Sequence, residues 1–461
     1  MYSAMPGQSG MVMTVGNVFG LVGGLIPLGL GLVAERFDLM AAMWLLLLGA
    51  VALLVGVPKA QRGCIMSITA TQTTEAERFQ TGGVLTITAG HAVHDTYTAF
   101  LAPLLPVFIA NLALSKTEAG VLTVFMQGPS LLQPFIGHLA DRISLRYLVI
   151  IAPALTGAMM SLLGVAPGYG VLALLLVVTG LSSASLHAVA PVIAGNLSGR
   201  SLGRGMGFWM VGGELGRTLG PIVIVSAVRL LGLGGTPWLM IGGFLASVLL
   251  YVRLKDVPTQ PVNAGQGLPW RQALRGMGSL LLPLVGIIVA RLFMTRSLTT
   301  YLPTFLSEEG ADLWLAGASL SLLEIGGMAG ALLGGAISDR LGRRLVLFVS
   351  MLTAPLLLFV FLRIEGWLQL PLLLLMGFTA LSVTPVVMAL VQESFPDNRA
   401  LANGVYMSLS FVLSSVVVVV LGAMGDLFGL RLAFTASAVI TLLGLPLVLL
   451  LPGQRYSGPV H

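Results

Sequence analysis

Three ionisable side chains crowd one apolar stretch, in the run Gly90-His91-Ala-Val-His94-Asp95-Thr-Tyr. On a helix, His91 and Asp95 are i, i+4 and share a face, and His94 is adjacent to Asp95 and about a turn from His91. Apolar burial favours a neutral acid, whereas a protonated imidazole nearby favours a carboxylate. Such a cluster can take up and release a proton, or it can serve as a structural polar knot between helices. Other ionisable residues interrupt apolar runs further on: His187, the i, i+3 pair Glu214 and Arg217, Arg291 with Arg296 five residues later, and Glu324. Glu214 and Arg217 can pair with each other. Arg291 and Arg296 are about 140° apart on a helix and need not share a face. Arg291 can attract an anionic compound or pair with Asp95.

Other chemistries find little support. His91, His94 and Asp95 could in principle ligate a metal, but an intramembrane enzyme would want a metal triad or a Ser/His dyad, and neither His-Glu-x-x-His nor Gly-x-Ser-x-Gly occurs. Gly-x-x-x-x-Gly-Lys-Ser/Thr, which cradles ATP phosphates, is missing too. One cysteine, Cys64, allows no internal disulfide framework and no cysteine-ligated zinc or iron–sulfur site. No enzyme, cofactor or metal is therefore expected.

The elements that carry these residues follow from composition. Of 461 residues, 56% are apolar and 9% charged, against roughly 25% charged in soluble domains. The mean hydropathy is +0.96, so lipid is the solvent for most of the chain. Helical spans of about 20 apolar residues read near 10–33, 39–57, 82–112, 118–138, 147–165, 170–197, 205–230, 237–254, 278–306, 313–337, 345–362, 367–392, 401–422 and 431–451. The 58 glycines suit close packing of helices in lipid, and the stretches lack the period-two alternation of a membrane barrel. An ionisable side chain near the bilayer centre costs at least about 2.5–3.5 kcal/mol, which makes the residues above markers of a transport path. Trp209, Trp238, Trp314 and Trp367 read as headgroup anchors or cavity walls.

Lys and Arg set the orientation. One set of alternate loops holds Arg142, Arg146, Arg200, Arg204, Arg253, Lys255, Arg271, Arg275, Arg340, Arg343, Arg344 and Arg399; the other holds Lys116, Arg229, Arg363 and Arg431. The first set is placed in the cytoplasm, with both termini. The net charge of +6 then faces anionic headgroups, and nucleic acid is not an expected partner.

A polar stretch at 255–277, containing Pro258, Pro261, Gly265 and Gly267, separates six spans in 82–254 from six in 278–452; a short tail, 453–461, follows. Gly137-His-Leu-Ala-Asp141-Arg142 recurs as Gly335-Ala-Ile-Ser-Asp339-Arg340, each after the second span of its half. That repetition indicates internal duplication. Residues 1–65 form an additional two-span hairpin, followed by a polar linker at 66–81. The hairpin matches the chain's own end: Gly31-x-x-x-Glu35-x-Phe37-x-Leu39-x-x-Ala42 parallels Gly422-x-x-x-Asp426-x-Phe428-x-Leu430-x-x-Ala433. It is read as the remnant of a neighbouring transporter's end, brought in by fusion or an early start; the alternative is a fourteen-span protein.

Gly335-x-x-x-Asp339-Arg340-x-Gly342-Arg343-Arg344 resembles the loop signature of the major facilitator superfamily. The first copy departs from it, with Ser144 for the glycine and Leu145 for a basic residue, and keeps Arg146. Gly207, Gly216, Gly220 and Pro221 resemble the glycine–proline motif of that superfamily's drug–proton antiporters, without its trailing glycines. The fosmidomycin-resistance branch is resembled more closely. The likeness rests on His91-x-x-x-Asp95, Ser130-Leu-Leu-Gln133-Pro134, Ser182-Ser183 with His187, Val211-Gly212-Gly213, and Gln392-Glu393-x-x-Pro396, over about 82–452. This resemblance implies two six-helix bundles around a central cavity, alternating access, and efflux of a drug. The intramembrane arginine that many proton antiporters carry in the fourth span is not here; His187 occupies that helix.

The expected protein is an all-α membrane transporter with the twelve-helix major facilitator fold plus the N-terminal hairpin. Its expected work is proton-coupled export of a small amphipathic or anionic compound, as a monomer in the inner (plasma) membrane. Proton-coupling candidates are Asp95, His91, His94 and His187; cavity candidates are Arg291, Glu214, Arg217 and Glu324. The two loop copies (Gly137, Asp141, Arg142, Arg146; Gly335, Asp339, Arg340, Gly342, Arg343, Arg344) are expected to gate. Proton-coupled uptake and a non-transporting membrane sensor are the rivals; a sensor would need no charges at the midplane.

Overall fold

The computed structural model describes residues 79–133, 135–136, 145–199, 202–255, 278–394 and 399–451. The hairpin at 1–65, most of the linker, the first loop copy at Gly137, Asp141 and Arg142, and the central stretch 256–277 lie outside the described residues. Every regular element among the described residues is helical, and eleven helices are long and apolar enough to cross a membrane.

In chain order, α1 spans Thr81–Leu112 and α2 spans Lys116–Gln127, ending in the turn Gly128–Leu132. They are followed by α3 (Arg146–Ser161), α4 (Tyr169–Leu197), α5 (Leu202–Leu231) and α6 (Met240–Leu254). The second half begins with α7, Gly278–Arg296, which runs through a π-helical turn at Ser297–Tyr301 into Leu302–Glu308. Then come α8 (Leu313–Leu341), α9 (Arg343–Phe361), α10 (Gln369–Leu381, continuing as Val383–Ser394), α11 (Arg399–Phe428) and α12 (Leu430–Leu449). With the shorter α2, the eleven long helices give twelve helical segments among the described residues, in the order expected of the core.

Each half packs as a bundle, α1 on α5 and α8 on α10 most extensively. The outward faces are apolar: Leu174, Leu245, Val248, Leu332 and Leu375 are all exposed, as lipid-facing residues are. Lipid supplies no hydrophobic drive between helices, so contact depends on close packing of small residues. Two glycine ladders provide it. Gly212, Gly216 and Gly220 of α5 lie on Thr88, Ala92 and Thr96 of α1, and Gly326, Gly330 and Gly334 of α8 lie on Leu374, Phe378 and Ser382 of α10. A β-carbon on Gly212 would stand 2.6 Å from the Thr88 carbonyl oxygen, and backbone cannot swing away. Gly207, the first glycine of the antiporter-like motif, has open space instead. Gly212→Ala should therefore cost about 1–3 kcal/mol through overpacking, while Gly207→Ala should be neutral or gain up to about 1 kcal/mol of helix propensity. Thermal melting of the two variants in detergent checks this; equal melting points would remove the ladder's role.

The halves meet along two helix pairs, α2 with α11 and α5 with α8. At the end of the molecule that holds Lys116 they are tied by polar contacts. Asp426 of α11 accepts from the Lys116 and Thr117 backbone N–H groups at 2.7 and 2.9 Å and from the Thr117 hydroxyl at 2.6 Å. Lys116 Nζ lies 2.9 Å from Glu308. The Tyr301 hydroxyl lies 2.9 Å from the Val418 carbonyl and 3.1 Å from that of Lys116.

At the α8–α9 corner Gly342 has φ +94°, a left-handed conformation that glycine adopts cheaply; this accounts for the glycine in the second loop copy. Arg343 begins α9, is buried, and bonds both Asp339 and Ser338. Asp339 and Arg340 remain exposed.

Candidate functional site

The glycine ladder that seats α5 on α1 also builds the first half of the site. It brings Trp209, Glu214 and Arg217 of α5 beside His91, His94 and Asp95 of α1, and α4 adds His187. All four of the residues read from the sequence as proton-coupling candidates thus come together. Asp95 is their centre: His94 Nδ1 lies 2.9 Å from one carboxylate oxygen, His91 Nε2 lies 3.3 Å from the other, and His187 Nε2 is 3.7 Å away. Arg217 reaches the same carboxylate at 3.8 Å and forms an ion pair with Glu214.

The hydrogen-bond partners assign the tautomers. His91 Nδ1 lies 2.9 Å from the Trp209 carbonyl and His187 Nδ1 lies 2.9 Å from the Ser183 carbonyl. A carbonyl only accepts, so both Nδ1 atoms carry hydrogen. Both Nε2 atoms then present lone pairs when the rings are neutral. These two atoms lie 3.3 Å apart and, with an Asp95 oxygen, fall within 4.8 Å of one another. Three acceptors facing each other are satisfied by a hydrogen or cation among them: a proton on a ring or on Asp95, a bridging water, or a small cation. The cluster is not sealed. The Asp95 side chain is 5% exposed, but that of His187 is 31% and that of Arg217 44%, so these two are its open members.

The second half of the site is cationic. Arg291 of α7 is buried and donates to Thr384 of α10 at 2.6 Å. Its Nε, and that of Arg296 immediately before the π-helical segment, are buried and have no partner among the described residues. Glu324 of α8 is buried and within electrostatic reach of Arg217, Glu214 and Arg296. Of the two roles read for Arg291, attracting an anion or pairing with Asp95, an ion pair with Asp95 is not among the described contacts. Arg217 takes that position, because the α1–α5 ladder sets it on the Asp95 side, while Arg291 turns to α10.

Of the two readings given for Trp209, headgroup anchor and cavity wall, burial removes the first: it is 6% exposed and its ring stacks on His91 at 3.6 Å between centroids, 12° from parallel. Trp238 and Trp367 are 70% and 74% exposed, which suits anchors, and Trp314 donates to Ser226 at 3.2 Å. Gln392 and Glu393 belong to α10, and Arg399 begins α11.

A family model described as Major Facilitator Superfamily matches residues 87–415 and 324–460. The Fosmidomycin resistance protein of Escherichia coli (strain K12) is 25% identical over 399 residues, covering 84% of this chain and 97% of that protein. An uncharacterized MFS-type transporter of Bacillus subtilis (strain 168), YfnC, is 24% identical over 376 residues, covering 79% and 91%. Among solved structures, a bacterial homolog of the human lysosomal transporter Spinster, inward-facing and unoccupied, superposes with a TM-score of 0.68 at 16% identity, over 81% of this chain and 97% of that one. A D-xylose–proton symporter gives 0.64 at 15% identity, over 80% and 97%. At these identities the solved structures show the shared fold.

Proposed function

This chain belongs to the major facilitator superfamily, and from that premise we propose that it exports a small amphipathic or anionic compound in exchange for protons. One observation supports the coupling: Asp95 and the two facing Nε2 atoms of His91 and His187 form an acceptor array that can hold a proton, and the His187 side chain is partly exposed. Arg217 competes for the same carboxylate, so a proton leaving the cluster can be replaced by the guanidinium as the cavity changes sides. The unpartnered Nε groups of Arg291 and Arg296 favour an anionic group on the compound carried. The antiporter-like glycines and the 25% identical Fosmidomycin resistance protein favour export over uptake. Lys and Arg bias supports cytoplasmic termini, and the reading places the protein in the plasma membrane as a monomer; the tied end at Lys116 is then the outer end, closed in this conformation.

Inverted vesicles acidified inside test this reading, with fosmidomycin as the probe. Adding it outside should dissipate part of the proton gradient, and a protonophore should stop its accumulation. Uptake by symport would move protons the opposite way, and accumulation insensitive to the protonophore would refute coupling to protons.

A further inference from the structure

We infer that Trp209 is the positioning residue of the proton site, and that through its ring and its own carbonyl it seats the proton on Nε2 of His91. The inference rests on the proton-coupled reading above.

Two independent contacts join these residues. The Trp209 carbonyl accepts from His91 Nδ1 at 2.9 Å, which turns the other ring nitrogen toward Asp95 and His187, each 3.3 Å away. The carbonyl has two lone pairs, so it can take this donor beside the helical N–H of residue 213. The indole lies flat on the imidazole face. One turn along α5, Gly213 makes room for the same ring: a β-carbon there would stand 2.7 Å from His91 Cε1. Residues 209 and 213 are thus shaped around His91 from one side of α5.

An indole face attracts a cation, and more strongly where water is excluded. Stacking therefore favours the protonated imidazole over the neutral one. The other charged groups facing the ring are Asp95 and His94 on α1, His187 on α4, and Glu214 and Arg217 on α5. Among the described residues, α6 brings Leu250 against Gly90 of this span, and α3 and α6 place no charged bonding partner on the cluster. Protonated on Nε2, His91 donates toward Asp95 and His187 together, which satisfies the array with one proton. His91 itself is 4% exposed, so the proton enters and leaves through His187, the more exposed ring.

The test is the pH profile of fosmidomycin-driven proton flux in proteoliposomes, using the full chain and the variants W209F and W209L. Both keep the backbone carbonyl, and only W209L loses the π face. W209L should move the midpoint about one unit toward lower pH, a tenfold loss of proton affinity, and W209F should keep the wild-type midpoint. A purely structural tryptophan would lower rate or yield and leave the midpoint in place. A second readout needs no transport: the emission difference between wild type and W209F should fall on acidification, because an imidazolium quenches the indole it touches, and His91→Gln should abolish the change. An unshifted W209L midpoint at normal yield, or a difference emission indifferent to pH, overturns the inference. Wild-type flux with no pH dependence would remove the proton-coupled reading instead, while the emission measurement still decides the stack.

Discussion

Asp95→Asn should leave the protein in the membrane at wild-type yield and reduce its proton-driven transport to background. Asp95 lies fourteen residues beyond Thr81, where α1 begins, or roughly 20 Å along the axis at 1.5 Å per residue. A carboxylate at that depth is costly unless it is protonated, hydrated or paired. Here His91, His94, His187 and Arg217 all surround it. Asparagine has nearly the same volume, and its amide hydrogens can donate permanently to the Nε2 lone pairs that otherwise wait for a proton. Its oxygen can still accept from His94 Nδ1. The variant therefore satisfies the array without charge, and nothing is left for the proton to do. Substrate binding, assigned to the arginines of the other half, should survive. Asp95→Ala differs: it leaves the facing acceptors unpaired, at about 1–3 kcal/mol for each buried group, and should lower yield. The two measurements are protein yield and substrate-induced proton flux in reconstituted vesicles. Normal yield with normal flux in Asp95→Asn would eliminate the coupling role, and low yield would favour a structural polar knot.

The contrast between Asp95 and Trp209 shows what the chain discloses by itself. A charge in an apolar run announces itself, because its cost demands an explanation; His91, His94, Asp95, His187, Glu214, Arg217, Arg291 and Glu324 were all found that way. A tryptophan in a membrane helix carries no such penalty, so nothing in its spacing separated a cluster wall from a headgroup anchor. The spans were legible because lipid enforces a length and an apolar composition on every helix. Partner choice was not, because it depends on which face of each helix meets which neighbour. The i, i+3 spacing revealed the Glu214–Arg217 pair, but only the packing of α5 on α1 turns Arg217 toward Asp95. The ladder itself was half visible. Gly216 and Gly220 were singled out, whereas Gly212 was read as part of a family string and Gly207 was given weight that its open surroundings do not support.

Asp426→Ala should release the closed end and shift the protein about tenfold toward the opposite-facing state. The helix α2 begins at Lys116, and its first backbone N–H groups have no acceptor within their own helix. Ser115 and Glu118 close a capping box that serves residues 115 and 118. The groups of Lys116 and Thr117 are left, and both donate to Asp426 from the other half of the molecule. A carboxylate at a helix N-terminus is also favoured by the helix dipole. Gly422, one turn before Asp426, lets α11 approach so closely that a β-carbon there would stand 2.7 Å from the Lys116 carbonyl oxygen. The recurring Gly-x-x-x-acid string at the chain's end thus spells the grip of α11 on α2. Losing such a cap costs about 0.5–2 kcal/mol, and near 1.4 kcal/mol the population ratio moves tenfold. Asp426→Asn keeps one acceptor oxygen and should fall between. Spin labels at Asn111 and Leu427, both exposed near this end, read the change as a longer second distance. The Lys116–Glu308 pair and the Tyr301 contacts remain in either variant, so the end should loosen without losing the fold. An unchanged distance distribution in Asp426→Ala would mean that those contacts hold the end closed by themselves.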